Sequence, residues 1–134
     1  RQTLKNGDFS LEFLHVNHSI AGAMAVAITT PYGVILHTGD FKIDKTPINQ
    51  KTTDIARIAE IGKKGVKLLM CESTNVISDG WSRSESEVLH NLEENVFKTH
   101  TTQRFIVATF ASNVFRLQEI LTLAEKPIFH QTSF

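Results

Sequence analysis

The sequence is poor in the features that would place a protein in a class at once. Its single cysteine, Cys71, excludes an internal disulfide and a cysteine-rich zinc site. No apolar run reaches the roughly 18 residues that a membrane-spanning helix needs, so we predict no membrane contact. The chain begins at Arg1, without Met or the apolar stretch of a signal peptide, and we expect a processed or incomplete chain. A reducing, cytoplasmic setting is the simplest interpretation.

An excess of charge of one sign is also absent, because 14 Lys and Arg residues balance 14 Asp and Glu residues. Phosphate contacts dominate the affinity of proteins for nucleic acids, so this balance argues against a free-standing nucleic-acid binder. It does not exclude an enzyme whose substrate channel is basic only locally. The content of 41% hydrophobic and 21% charged residues is typical of one globular domain or part of one.

Two patterns of hydrophobic residues divide the chain. The first half predicts strands over 9–16, 23–30 and 34–37, and the Pro31-Tyr32-Gly33 turn indicates an antiparallel hairpin. The second half predicts an alternation of helices and strands, which suits helices packed on a mixed sheet. Its predicted elements are a helix capped by Thr53 or Asp54, a strand over 66–71, a helix with a Ser84–Glu87 capping box, a strand over 105–109, and a helix capped by Ser112 that stops before Pro127.

Residues that could bind metal lie just after predicted strands. His18 and Asp40 each follow a strand, and Glu72 closes another. Strand ends are where an open α/β sheet presents its site residues, and imidazole with carboxylate suits zinc or manganese. Structural roles are the alternative at each position. A lone histidine is more often hydrogen-bonded than a ligand, as His15 and His37 within strands also illustrate, and Asp after Gly is commonly a turn residue.

Four motifs in order carry a resemblance to a known family. They are Asn17-His18-Ser19-Ile20, His37-Thr38-Gly39-Asp40-Phe41-Lys42, Glu72-Ser73-Thr74-Asn75 and Ala108-Thr109-Phe110-Ala111-Ser112-Asn113. The series resembles ribonuclease J, a β-CASP family of the metallo-β-lactamase superfamily, over residues 1–126. The resemblance implies an α/β fold, part of a metallo-β-lactamase αββα sandwich running into the start of a β-CASP domain. We place the domains at 1–80 and 81–134, with the boundary in the loop from Asn75 to Arg83.

The resemblance also implies a chemistry for the matching positions. His18 matches a metal ligand, Asp40 the aspartate that bridges two ions, and Glu72 an acidic residue beside the metals and the scissile phosphate. His37 is expected to support these ligands from behind, and Ser112 and Asn113, where a helix opens, to face a phosphate or simply to cap the helix. The implied cofactors are two divalent ions, zinc or manganese. The implied partner is RNA, cut from the 5′ end or internally, by an enzyme that is homo-oligomeric when complete.

The chain departs from the family pattern in several places. The main ligand motif, His-x-His-x-Asp-His, is absent, Ala21-Gly22 replaces the usual Pro-Asp, and His130 lies too early to match a later β-CASP histidine. Two ligands cannot hold a binuclear site, so we expect the isolated chain to bind metal poorly and to be inactive. Two other interpretations stay open, namely a related hydrolase acting on DNA or a small ester, and a non-catalytic, degenerate fragment that serves as an assembly surface.

Overall fold

The computed structural model describes residues 2–99 and 104–125. In chain order the strands and helices are β1 (Gln2–Asn6), β2 (Phe9–His15), β3 (Met24–Thr30), β4 (Gly33–His37), α1 (Ile55–Lys64), β5 (Val66–Met70), α2 (Glu85–Leu92) and α3 (Val114–Ala124). A π-helical turn over Glu93–Phe97 continues α2. His130 and the segment 127–134 lie outside the described residues.

The strands form one mixed sheet in the order β1-β2-β3-β4-β5. The first three pairs are antiparallel, whereas β4 and β5 are parallel. This arrangement confirms the α/β class, the antiparallel meander and the hairpin between β3 and β4. The strand β1 was not predicted, because its five exposed residues lack the apolar alternation that indicates a half-buried strand.

The core lies between the sheet and α1. It contains Leu14, Val16, Ala25, Ala27, Leu36 and Ile61. Ile61 is the buried residue of α1, and Ile58 packs against the same cluster one turn earlier. Complete burial of a side chain such as Leu14, which is 0% exposed, contributes roughly 1.5–3 kcal/mol to stability. The core therefore fixes the sheet whose strand ends carry the candidate residues.

The N-cap residue is a predicted one in two of the three α-helices. The Asp54 side chain accepts a hydrogen bond from the amide of Arg57 and begins α1. Ser84 is the N-cap of α2, as predicted, and accepts a hydrogen bond from the amide of Ser86. Glu87, the predicted second member of a capping box, pairs with Arg83 at 3.8 Å, so the Ser84 half of the box is the part confirmed. The prediction for the N-cap of α3 was wrong by one residue.

Asn113, rather than Ser112, is the N-cap of α3. The Asn113 side-chain oxygen accepts a hydrogen bond of 3.3 Å from the amide of Arg116, which lies three residues ahead as capping requires. Asn113 is buried whereas Ser112 is exposed, so the amide side chain is the one that the fold holds against the helix. The helix ends at Ala124, before Pro127, as predicted.

The predicted strand over 105–109 was also wrong. Residues 104–110 have no regular secondary structure, and Ile106 is 93% exposed. Phe105 instead packs edge-to-face on Phe97, with ring centroids 5.2 Å apart. A short apolar run does not by itself distinguish a strand from a segment that buries one side chain. The second half thus contributes one strand, β5, to the sheet described, and the domain boundary near residue 80 stays a prediction.

Candidate metal and phosphate site

The three candidate carboxylate and imidazole residues follow strands that run in the same direction. Since β2 and β4 are both antiparallel to β3, they are parallel to each other, and β5 is parallel to β4. The carboxyl ends of these three strands therefore meet at one edge of the sheet. His18 follows β2, Asp40 follows β4 and Glu72 follows β5.

His18 and Asp40 lie side by side at this edge. The His18 Nε2 atom is 3.9 Å from an Asp40 carboxylate oxygen. The two side chains differ in exposure, at 26% for His18 and 74% for Asp40. An imidazole nitrogen and a carboxylate oxygen at this separation can bind one ion together or two neighbouring ions after a small side-chain rotation.

Glu72 lies at the same sheet edge and is tied to the strand ends by hydrogen bonds. Its amide donates a 3.2 Å hydrogen bond to the Thr38 hydroxyl, and the Thr38 amide donates to the carbonyl of Met70 at 3.0 Å. Hydrogen bonds from Thr74 lower the pKa of the Glu72 carboxyl, and the field of His18 acts in the same direction. Glu72 is thus a local loop acceptor, as the structural interpretation predicts, and its lowered pKa favours the ionised carboxylate.

His37 supports the turn that leads to Asp40. Its Nδ1 atom accepts a 3.0 Å hydrogen bond from the Gly39 amide, which places the proton of the neutral ring on Nε2. Gly39 has φ +61°, and a Cβ atom there would lie 2.9 Å from the Met24 carbonyl oxygen. The turn therefore requires glycine, and it brings Asp40 back toward His18.

The N-terminus of α3 borders the same region through Asn113, one of the two residues predicted to face a phosphate or cap the helix. A pocket lined on one side by residues 15–20 is lined on the other by Lys42, Glu85 and Asn113. The Asn113 amide donates to the carbonyl of Phe110 at 3.0 Å, and its side chain caps the helix. The backbone amide and the side-chain oxygen of Asn113 are therefore both bonded, which favours the capping role at this residue. Whether Ser112 and Asn113 contact a phosphate stays a prediction.

The structure adds an ion cluster that the sequence did not indicate. The Glu85 carboxylate forms ion pairs with Lys42 Nζ at 2.6 Å and with Arg116 Nη2 at 2.8 Å. Lys42 Nζ also lies 3.7 Å from a carboxylate oxygen of Asp44. Burial by itself would raise the pKa of the Asp44 carboxyl, but hydrogen bonds from the amides of Glu85 and Thr46 outweigh it and lower that pKa. Lys42 and Arg116 lie 43 and 31 residues from Glu85 in sequence, so no local spacing reveals that Glu85 joins them.

The donors present fit part of a metal site. His18 and Asp40 supply nitrogen and oxygen donors suited to zinc or manganese. Across residues 2–99 and 104–125, no three His, Cys, Asp or Glu side chains are grouped so that they could hold a metal ion. A catalytic zinc ion ordinarily takes three protein ligands, so the described residues hold part of such a site and further donors are required. Among the helices described, none has the length and apolarity of a membrane span.

The chain is similar in sequence to ribonuclease J from several bacteria. It is 46% identical over 127 residues to that of Mycolicibacterium smegmatis, 47% over 118 residues to that of Synechocystis and 40% over 118 residues to that of Thermus thermophilus. These matches cover 92%, 88% and 88% of this chain but only 22%, 18% and 20% of the relatives. The predicted resemblance is confirmed, and the chain spans about a fifth of the length of these relatives. No family model matches the chain.

The fold is shared with a solved structure. A protein of unknown function from Enterococcus faecalis V583 matches 93% of this chain with a TM-score of 0.67 and 23% sequence identity. The match covers 29% of that protein. At this level of identity the comparison establishes the α/β fold and carries no statement about activity.

Proposed function

We propose that the chain is part of a metal-dependent ribonuclease that hydrolyses RNA phosphodiester bonds from the 5′ end, internally, or both. The observation that carries the proposal is the approach of His18 Nε2 to the Asp40 carboxylate, 3.9 Å apart at one edge of the sheet. The 40–47% identity to ribonuclease J over most of the chain supports it independently. The proposal includes RNA as the partner, a metallo-β-lactamase part running into a β-CASP part, and a cytoplasmic, homo-oligomeric complete enzyme.

The proposed roles follow from the position and charge of each residue. Two divalent ions, zinc or manganese, would supply an acidified water and neutralise charge on the phosphate. His18 would hold one of them through Nε2, and the exposed carboxylate of Asp40 would supply oxygen ligands. Glu72, whose lowered pKa keeps it ionised, would orient the attacking water by accepting its hydrogen bond. His37 would keep the Gly39 turn in place, because its ring accepts the Gly39 amide.

The test is RNA cleavage by the longest natural polypeptide that contains these residues, loaded with Zn²⁺ or Mn²⁺. We expect Asp40→Asn to reduce the rate of cleavage by more than about 100-fold, since it removes a charge from a ligand while keeping its shape. The matched control is Asp79→Asn, which makes the same change at an exposed loop position. Equal activity of Asp40→Asn and wild type would refute the proposal.

The alternative functions correspond to defined results of the same assay. Cleavage of single-stranded DNA or a small ester in place of RNA would identify a related hydrolase. Absence of any cleavage by the metal-loaded polypeptide would identify a non-catalytic relative that serves in assembly. For residues 1–134 alone we expect weak metal binding and no cleavage, because His18 and Asp40 provide too few ligands.

A further inference from the structure

Two buried polar residues next to the candidate ligands bond each other reciprocally. Asn17 is 5% exposed and Thr53 is 6% exposed. The Asn17 amide donates to the Thr53 hydroxyl at 2.9 Å, and the Thr53 amide donates to the Asn17 side-chain oxygen at 2.9 Å. The two residues are 36 positions apart, so this pair joins the end of β2 to the segment that precedes α1.

A third segment is bonded to the same pair. The Thr53 hydroxyl donates to the Lys42 carbonyl at 3.0 Å, with the Asn17 side-chain oxygen as a second, longer acceptor at 3.2 Å. The Lys42 amide donates to the Asn17 carbonyl at 2.8 Å. The Asn17 side-chain amide also donates to the carbonyl of Lys51. The Thr53 hydroxyl is therefore a junction, accepting from the backbone of one segment and donating to the backbone of another. We call Asn17, Lys42 and Thr53, with these hydrogen bonds, the Asn17–Thr53 clasp.

The clasp lies next to both candidate ligands in the chain. His18 follows Asn17 directly, and Asp40 precedes Lys42 by two residues. Both ligand-bearing segments are thus joined by hydrogen bonds at one buried point, whereas the Asp40 side chain itself is 74% exposed. A metal-binding pair needs its ligands held by such surrounding hydrogen bonds, because ligand orientation controls affinity.

We propose that Asn17 and Thr53 are positioning residues that set the relative placement of His18 and Asp40, and through it the affinity for a divalent ion. The metal-binding half of this statement rests on the proposed function. The effect on the relative placement of His18 and Asp40 does not rest on the proposed function, and it can be measured without metal. Neither residue contacts the ion or the RNA in this scheme.

The experiment uses a matched set of threonine variants of the longest natural polypeptide that contains these residues. Thr53→Val removes the hydroxyl and keeps the side-chain shape, Thr53→Ser keeps the hydroxyl, and Thr52→Val makes the first change at the exposed neighbour. NMR spectra of the metal-free proteins would report the His18 imidazole and the Asp40 backbone signals. Titration with Zn²⁺ alone would then give the affinity, and far-UV circular dichroism would report the fold.

We expect Thr53→Val to shift the His18 and Asp40 signals and to weaken Zn²⁺ binding by about 10- to 100-fold with an unchanged far-UV spectrum. Thr53→Ser should restore both properties, and Thr52→Val should match the wild type. Wild-type His18 and Asp40 signals in folded Thr53→Val would overturn the positioning role. Failure of Zn²⁺ to perturb His18 in the wild-type polypeptide would instead refute the metal site, and the metal-free spectra would still decide the role of Thr53.

A second measurement needs no folded variant. In the wild type, amide hydrogen exchange at Asn17, Lys42 and Thr53 should be slow and of similar rate, because their N–H groups are bonded to one another's segments. The exposed Thr52 is the internal reference. Exchange at the three clasp amides as fast as at Thr52 would overturn the proposal even if Thr53→Val did not fold.

Discussion

Replacing Glu85 with Gln removes the negative charge that two cations share. Lys42 Nζ lies 2.6 Å from one carboxylate oxygen of Glu85 and Arg116 Nη2 lies 2.8 Å from the other, while the Glu85 side chain is only 15% exposed. Burial alone would raise the pKa of the Glu85 carboxyl, but hydrogen bonds from Lys42 and Arg116 outweigh it, so that the pKa is lowered. Gln has the same size, so the substitution tests the charge.

The size of the effect follows from the partners that lose their anion. A hydrogen bond to a charged group contributes about 1.5–3 kcal/mol, and breaking a buried pair costs more. Lys42 and Arg116 keep 22% and 33% of their side-chain surface in solvent, which offsets part of that loss. We therefore expect Glu85→Gln to lower the free energy of unfolding by about 2 kcal/mol. For a chain of 134 residues this corresponds to a Tm lower by about 7 °C.

Thermal unfolding followed by circular dichroism measures this loss, and Glu87→Gln is the matched control. Glu87 lies on the same helix but is exposed, with Arg83 3.8 Å away, so its replacement should change Tm by less than about 2 °C. Because the pKa of Glu85 is lowered in the folded state, Glu85 stabilises the fold fully at pH values above the ordinary pKa of a glutamate. This stabilisation is lost as the pH falls through the lower pKa of the folded state. The Tm difference between wild type and Glu85→Gln should therefore shrink on acidification. Equal losses in the two variants, or a difference unchanged at low pH, would refute this reasoning.

Four further substitutions test the core, a turn and a helix cap. Leu14→Ala should lower the free energy of unfolding by about 2–5 kcal/mol in urea titrations, because Leu14 is 0% exposed in the core, and a loss under 1 kcal/mol would contradict this. Gly39→Ala should cost about 1–2 kcal/mol by the same assay, since its φ is +61° and a Cβ would meet the Met24 carbonyl at 2.9 Å; a neutral outcome would show that the turn relaxes. Asn113→Ala should cost about 1 kcal/mol and Ser112→Ala nearly nothing, and the reverse order would restore Ser112 as the cap of α3.

Features that depend on neighbouring residues were determined by the sequence alone. The β3–β4 hairpin follows from a turn at residues 31–32 between apolar strands, and α1 follows from the Asp54 cap and the Gly65 stop. Each of these depends on contacts within a few residues, which sequence spacing reports directly. The errors arose where local signals were ambiguous, as between Ser112 and Asn113 at the start of α3, or weak, as in the polar strand β1.

The candidate site also combines features that the sequence indicates with features that only the fold decides. The sequence motifs identified His18, Asp40 and Glu72 as residues that follow strands, and the resemblance they carry was confirmed by the relatives. Only the tertiary structure decided that His18 and Asp40 lie 3.9 Å apart.

The remaining contacts around the site also required the fold. Lys42 meets Glu85 across 43 residues of sequence, and Asn17 meets Thr53 across 36. No local pattern predicts such pairs, because each depends on the register of the strands and on how a loop crosses the sheet edge. The residue types that could bind a metal are therefore set by the sequence, while their distances are set by hydrogen bonds between segments that only the folded chain brings together.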